Sequence, residues 1–247
     1  MQIDFKNINS LILAAGKGKR SGLSYHKSLH KIKGEPIICS IIKKLKFLGT
    51  NTSVVINESQ KRNFEHAVEG LSSNIEFIFQ NEPTGMGDAV LKYLNSSFYN
   101  ETEHTLLSWG DLPFIRANTL KEMTIRHIDE QNDFSFVTAD SDRAYTRVIR
   151  DKENNIIDLI ETHEKNLKLK PGERDLGIFI FKTKKIINML MEDLEDRYGS
   201  KTGEHSFLYL IKHLAKRDMK IAGYKIGTEK ELISLNTIDD LNLIDSL

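Results

Sequence analysis

Residues 11–20 read LILAAGKGKR. The first half is an apolar run of the kind found in strands buried on both faces of a parallel sheet. The second half threads Gly16 and Gly18 through Lys17, Lys19 and Arg20, and Lys27 follows seven residues on. Ligands of parallel sheets sit beyond the carboxyl ends of the strands. Glycine reaches φ > 0 and lets backbone N–H groups close on an anion. The cations in the same turn supply what a polyphosphate needs. A tight turn with solvated lysines would give the same string, but the clustering of three cations favours phosphate. The string is not a P-loop, which needs G-x-x-x-x-G-K-[ST]. Nor is it a dinucleotide fingerprint, whose third glycine position is Ser21 here.

Working outward, apolar runs recur as SLILAA, TSVVIN, IEFIFQ, TLLSWG, DFSFVTA, GIFIFK and MKIAGYK. Between the early ones lie amphipathic stretches: PIICSIIKKLKFLG, ending at Gly49, then MGDAVLKYLNSSF and NTLKEMTIRHI. This alternation predicts a mostly parallel sheet with helices on both faces. The rhythm changes after Asp140. YTRVIRD and NNIIDLIE read as a hairpin around KENN. A lysine-rich loop over 163–172 follows, best explained as a solvated flap. Two helices (TKKIINMLMEDLE and EHSFLYLIKHLAK), a strand and a last helix, TIDDLNLID, complete the chain. We expect one domain over 1–247, with a nucleotide-binding half (1–140) and an acceptor-binding half (141–247).

The 247 residues carry 35 Lys plus Arg against 35 Asp plus Glu, so no global field points to nucleic acid or an anionic membrane. A single cysteine, Cys39, excludes an intrachain disulfide and a Cys-rich zinc site. The eight histidines show no metal-like spacing. No signal-peptide pattern and no long apolar run appears, so a soluble, cytoplasmic protein is expected, monomer or homodimer.

With these motifs in view, LAAGKGKR…HKSLHKIKGEP resembles the signature of the nucleotidyltransferases that make NDP-sugars, usually L-A-A-G-x-G-T-R followed by P-K. It is most similar to the N-terminal uridylyltransferase domain of N-acetylglucosamine-1-phosphate uridylyltransferases. FIFQNEPTGMGDAV, LLSWGDLPFI, YTRVIRD, LIETHEK, DLGIFIF, GEHSFLYLI and SLNTIDDL continue the resemblance in order. It implies an α/β, Rossmann-like fold of the nucleotide-diphospho-sugar transferase type, with a β-containing acceptor-binding insertion. It implies that Leu13, Ala14, Ala15 and Gly16, with Lys17 and Gly18, meet the nucleotide. Arg20 and Lys27 would act on the triphosphate as the catalytic cations. Gln80 and the backbone at Gly85 would read the base. Asp111 and Asn236 would hold Mg²⁺. Thr146, Glu161 and Asp175 would meet the acceptor. The partners implied are a pyrimidine NTP and a small phosphate monoester.

The residues support these roles one by one. Asp111 follows an apolar strand at its carboxyl end, and Mg²⁺ takes one or two carboxylate or amide oxygens beside phosphate and water. Asn236 stands beside Thr237, which caps a helix with Asp240 three residues on. Gln80 ends a strand with an amide that both donates and accepts. Each also suits an ordinary turn, cap or strand end.

Departures from the pattern occur in both halves. Lys19 replaces threonine, His26 replaces proline, and Met86 and Asp88 stand where Thr and His are usual. Thr146 replaces a glycine and Asp175 an asparagine. The chain ends at Leu247, so no hexapeptide-repeat acetyltransferase domain is expected. The reading is transfer of NMP from UTP or CTP to a small phosphate-bearing acceptor, a sugar 1-phosphate first. The alternatives are a CTP-dependent cytidylyltransferase for a phosphorylated amine or amino acid, and a non-catalytic nucleotide sensor.

Overall fold

The protein is described by a computed structural model covering residues 5–48 and 51–247. Among the described residues eleven strands run in chain order. These are β1 (Ile8–Ala14), β2 (Lys31–Ile32), β3 (Glu35–Pro36), β4 (Thr52–Ile56), β5 (Ile75–Phe79), β6 (His104–Trp109), β7 (Phe134–Ser141), β8 (Thr146–Arg150), β9 (Ile156–Glu161), β10 (Gly172–Lys182) and β11 (Ile221–Tyr224). Seven form one sheet in the order β11-β7-β10-β6-β1-β4-β5, and all seven apolar runs lie in it. β10 alone is antiparallel to its neighbours, β6 and β7. The other pairings are parallel. β8 and β9 form the expected hairpin.

Helices cover both faces, which is why the strands are apolar throughout. On one face α1 (Ile37–Leu45), α2 (Lys61–Val68), α4 (Ala117–Asp129) and α7 (Ile238–Asp245) pack on Ile8, Ile12, Ile178 and Ile180. On the other, α3 (Met86–Leu91), α5 (Thr183–Met191) and α6 (Leu210–Lys216) pack on Leu11, Phe179 and Phe181. Each fully buried Ile, Leu or Phe contributes roughly 1.5–3 kcal/mol. None of the helices among the described residues is long and apolar enough to cross a membrane.

Some elements differ from expectation. α1 ends at Leu45 and continues as a 3-10 turn to Leu48; Gly49, expected to end it, lies outside the described residues. α6 begins at Leu210, later than EHSFLYLIKHLAK suggests. The reason is local: His205 and Ser206 spend backbone hydrogen bonds on Thr84, Gly87 and Arg197 instead of on a helix. α2 escapes the pattern because its sequence is mostly polar, with only Phe64 and Val68 buried. The loop over 163–172 is fastened as well as solvated. The Glu164 carbonyl accepts from Ser200 Oγ, its carboxylate accepts from Lys201 N–H, and Ala144 N–H donates to the Lys170 carbonyl.

Two histidines are sealed behind α4. The His127 ring lies 3.0 Å from His104 Nδ1 and 2.8 Å from Ser135 Oγ. Burial, with unfavourable electrostatics from His104 and the Lys182 ammonium, pushes His127 down from 6.5 to about 3. The unfolded chain therefore takes up a proton near 6.5 that the folded chain refuses until about 3. Stability from this group is present above 6.5 and is lost as pH falls through that window. His127→Gln should flatten that part of the stability-against-pH curve in urea unfolding; an unchanged slope would refute the assignment.

Candidate active site

The turn after β1 is built around a left-handed residue. Gly18 has φ 57°, and Ser21 returns both its N–H (3.0 Å) and its Oγ (2.7 Å) to the Gly18 carbonyl. A Cβ on Gly18 would rest 3.5 Å from the Lys27 stem, so the turn wraps that side chain. Ala14 and Ala15 are buried, while Gly16, Lys17 and Arg20 are exposed. Gly110 N–H donates to Leu13 O at 2.9 Å, drawing the end of β6 against the end of β1. His26, unexpected before the lysine, is buried. Its Nδ1 accepts from Ser28 N–H at 3.2 Å, its ring lies edge-on to Phe64, and burial pushes its pKa down to about 4. A neutral imidazole thus supplies the local order expected of proline.

Lys27 joins three distant pieces of chain. Its Nζ donates to Asp111 Oδ2 at 2.5 Å and to Asn236 Oδ1 at 2.8 Å. Asn236 Nδ2 donates to Ser234 Oγ, which turns the amide oxygen toward the lysine. Leu235 N–H donates to the Asp111 carbonyl, and Asp240 accepts from the N–H groups of Asn236 and Thr237. The other carboxylate oxygen, Asp111 Oδ1, is buried and has no partner among the described residues. One orphaned carboxylate oxygen and one aimed amide oxygen form a donor set that fits Mg²⁺ completed by phosphate and water. Among the described residues no group of three or more His, Cys, Asp or Glu could hold a metal alone.

The segment after β5, expected to read the base, is held from behind. Gln80 is buried, and its Nε2 donates to the Gly85 carbonyl (3.0 Å) and Thr84 Oγ1 (3.2 Å). That donor therefore shapes the segment itself. Gly85 has φ 110°, and a Cβ there would come within 2.3 Å of the His205 carbonyl oxygen. Arg197 Nε donates to His205 Nε2 (3.3 Å), leaving Nδ1–H for Asp88 Oδ1 at 2.7 Å. Asp88, a departure from the pattern, thus ties α3 to the segment that precedes α6.

Arg20, Thr146, Glu161 and Asn236 line a cleft of about 1520 Å³. Glu161 accepts from Ser206 Oγ at 2.5 Å. Burial raises its pKa, helped by the charges of Glu164, Asp175 and Glu204 and opposed by Ser206. Asp175 corrects an expectation. It is fully buried, accepting from Thr146 Oγ1 at 2.5 Å and from Gly177 N–H at 2.7 Å, so it does not present its carboxylate to an acceptor. The two substitutions Thr146 and Asp175 satisfy each other. Sequence reasoning missed Trp109, whose side chain lines the cleft while its indole N–H is enclosed without a partner among the described residues, and Arg174, also on the wall. The G-D after Trp109 was a usable signal; nothing in the sequence marked Arg174.

The family model of the MobA-like NTP transferase domain matches residues 10–197. The chain belongs to that family. The bifunctional protein GlmU of Thermosipho africanus (strain TCF52B) is 34% identical over 179 residues, covering 72% of this chain and 38% of that protein. GlmU of Clostridioides difficile (strain 630) is 28% identical over 244 residues, covering 98% and 51%. The chain spans about half the length of the curated relatives it matches, or less. HddC from Yersinia pseudotuberculosis, solved complexed with GMP-PN, superposes with a TM-score of 0.65 at 19% identity, covering 96% of this chain and 98% of that one. A 4-diphosphocytidyl-2C-methyl-D-erythritol synthase from Anaerococcus prevotii DSM 20548 gives 0.68 at 16% identity, covering 98% of each. These likenesses show the fold. In this MobA-like nucleotidyltransferase domain, the matched span includes the Lys27 and Asp111 ends of the charged cluster. Asn236 lies beyond it.

Proposed function

We propose that the chain transfers NMP from UTP or CTP to a small phosphate-bearing acceptor, a sugar 1-phosphate first, releasing pyrophosphate. The convergence of Lys27, Asp111 and Asn236 beside the β1 turn carries this reading. An acceptor phosphate oxygen attacks the α-phosphorus in line, and pyrophosphate leaves. The acceptor is already an anion, so no general base is required. Arg20, exposed on the cleft wall, and Lys27 neutralise charge on the phosphates. Asp111 and Asn236 would hold Mg²⁺, which supplies further charge neutralisation when bound. The turn and the base segment orient the nucleotide, and both halves of 1–247 work as one unit.

A second reading has its own observation. Glu161 stands among the charges of Glu164, Asp175 and Glu204, so a cationic acceptor group would be welcome there. That favours CTP-dependent transfer to a phosphorylated amine or amino acid. A pyrophosphate-release screen of each NTP against phosphate monoesters, with Mg²⁺, tests both. Release with a sugar 1-phosphate supports the first, and release with CTP and a phosphorylated amine the second. No release with any pair would overturn both.

Lys27→Ala gives a two-sided test. Its ammonium now competes for the oxygens that would hold the metal. Without nucleotide, Mn²⁺ should bind the variant more tightly, by paramagnetic resonance. NTP affinity should fall by about tenfold or more, the loss of a hydrogen bond to a charged group. Unchanged Mn²⁺ and NTP affinities would place Lys27 outside the site.

A further inference from the structure

Arg174 is a charge without a counter-charge among the described residues. Its residue is 8% exposed, yet it forms part of the cleft wall. Nε donates to the Asp175 carbonyl at 3.2 Å, and the guanidinium carbon lies 5.3 Å from the centre of the Tyr145 ring. Among the described residues no carboxylate pairs with it, and neither terminal nitrogen has a protein acceptor. Those nitrogens are not among the enclosed polar atoms that lack a partner, so they keep some accessible surface, and the residue lines the cleft. A guanidinium held this deep, with its open nitrogens unpaired, is well placed to take an anion.

The strand explains how this cation reaches the cleft. Successive side chains of β10 alternate between faces. Glu173 bonds Arg150 and Thr138, and Asp175 bonds Thr146, so both acids are spent on neighbouring strands. Arg174 points the other way. Tyr145, 55% exposed, lies over the guanidinium and limits its plane. Arg143 and Lys168 also line the cleft, with Asp142 beside Arg143, while Asp140 is paired with Lys225 at 2.7 Å.

We propose that Arg174, backed by Tyr145, is an oxyanion-binding subsite of the acceptor cleft that takes a phosphate or carboxylate of the acceptor. A planar fork meets two oxygens of one oxyanion in parallel, which a lysine cannot do. This rests on the cleft being the acceptor site. It adds a recognition element that the acidic group around Glu161 cannot supply.

The test reads binding rather than turnover. Trp109 is the single tryptophan and lines the cleft, so its fluorescence reports occupancy. Inorganic phosphate, phosphoethanolamine and phosphoserine are titrated into wild-type protein, Arg174→Gln and Arg174→Lys. The last two ligands differ by one carboxylate. Weakening of all three ligands by about tenfold or more in Arg174→Gln means that the subsite takes phosphate. Weakening of phosphoserine alone means that it takes the carboxylate. Arg174→Lys, which keeps the charge and stem, should fall between wild type and Arg174→Gln and stands in if the glutamine variant does not fold. Equal affinities in all three proteins, or no binding to wild type, would overturn the proposal. UTP and CTP are titrated in parallel. If neither binds while phosphate binding still depends on Arg174, the transferase reading fails and the subsite stands.

Discussion

Replacing Asp111 by asparagine should slow turnover by about a hundredfold or more and leave the fold intact. Removing one main electrostatic group from a charged transition state costs about that much. The local geometry explains why the loss is chemical. Asp111 is 7% exposed, one oxygen holds Lys27, and the other is buried without a partner among the described residues. Asparagine has the same shape. Its oxygen can stay on Lys27, which puts its amide nitrogen at the orphaned position. The backbone tie from Leu235 N–H to the residue-111 carbonyl does not involve the side chain. The variant should therefore melt close to wild type while kcat collapses at saturating Mg²⁺. Near-normal kcat in a folded variant would remove Asp111 from the metal assignment.

The parts of this molecule legible in the sequence are those with short-range signals. Each of the seven sheet strands is an apolar run because both faces are covered, and the Thr237–Asp240 capping box marks the start of α7. Gly16 and Gly18 after such a run, among cations, marked the turn. The meeting of Lys27 with Asn236 spans 209 positions, and no local pattern encodes it; the ordered family motifs did. What failed was direction. Asp175 looked like an acceptor ligand because position 175 aligned with one. Alternation along β10 and the Thr146 hydroxyl turn it inward, and the same alternation brings Arg174 to the cleft. His205 was hidden for a similar reason: its partners, Asp88 and Arg197, meet only after the chain has folded.

The buried acid also sets the last expectation. Asp175→Ala should destabilise the protein by about 2–5 kcal/mol, because it leaves the Thr146 hydroxyl and the Gly177 N–H as buried donors without acceptors. For a domain of this size each kcal/mol lowers Tm by roughly 2–4 °C. Asp175→Asn should cost far less. The amide oxygen can accept from Gly177 N–H, and the amide nitrogen can donate to Thr146 Oγ1. Since the carboxylate is enclosed, Asp175→Asn alone should leave kcat/KM for acceptors within about twofold, where a lost charge-assisted contact would cost tenfold or more. Space opens only when the partner is trimmed as well, so Thr146→Gly with Asp175→Asn is the variant that should improve use of N-acetylglucosamine 1-phosphate. Thermal melts of the three variants, with kcat/KM for that acceptor and for phosphocholine, separate the cases. A large loss with phosphocholine in Asp175→Asn, at unchanged Tm, would mean that the acid reaches the acceptor after all.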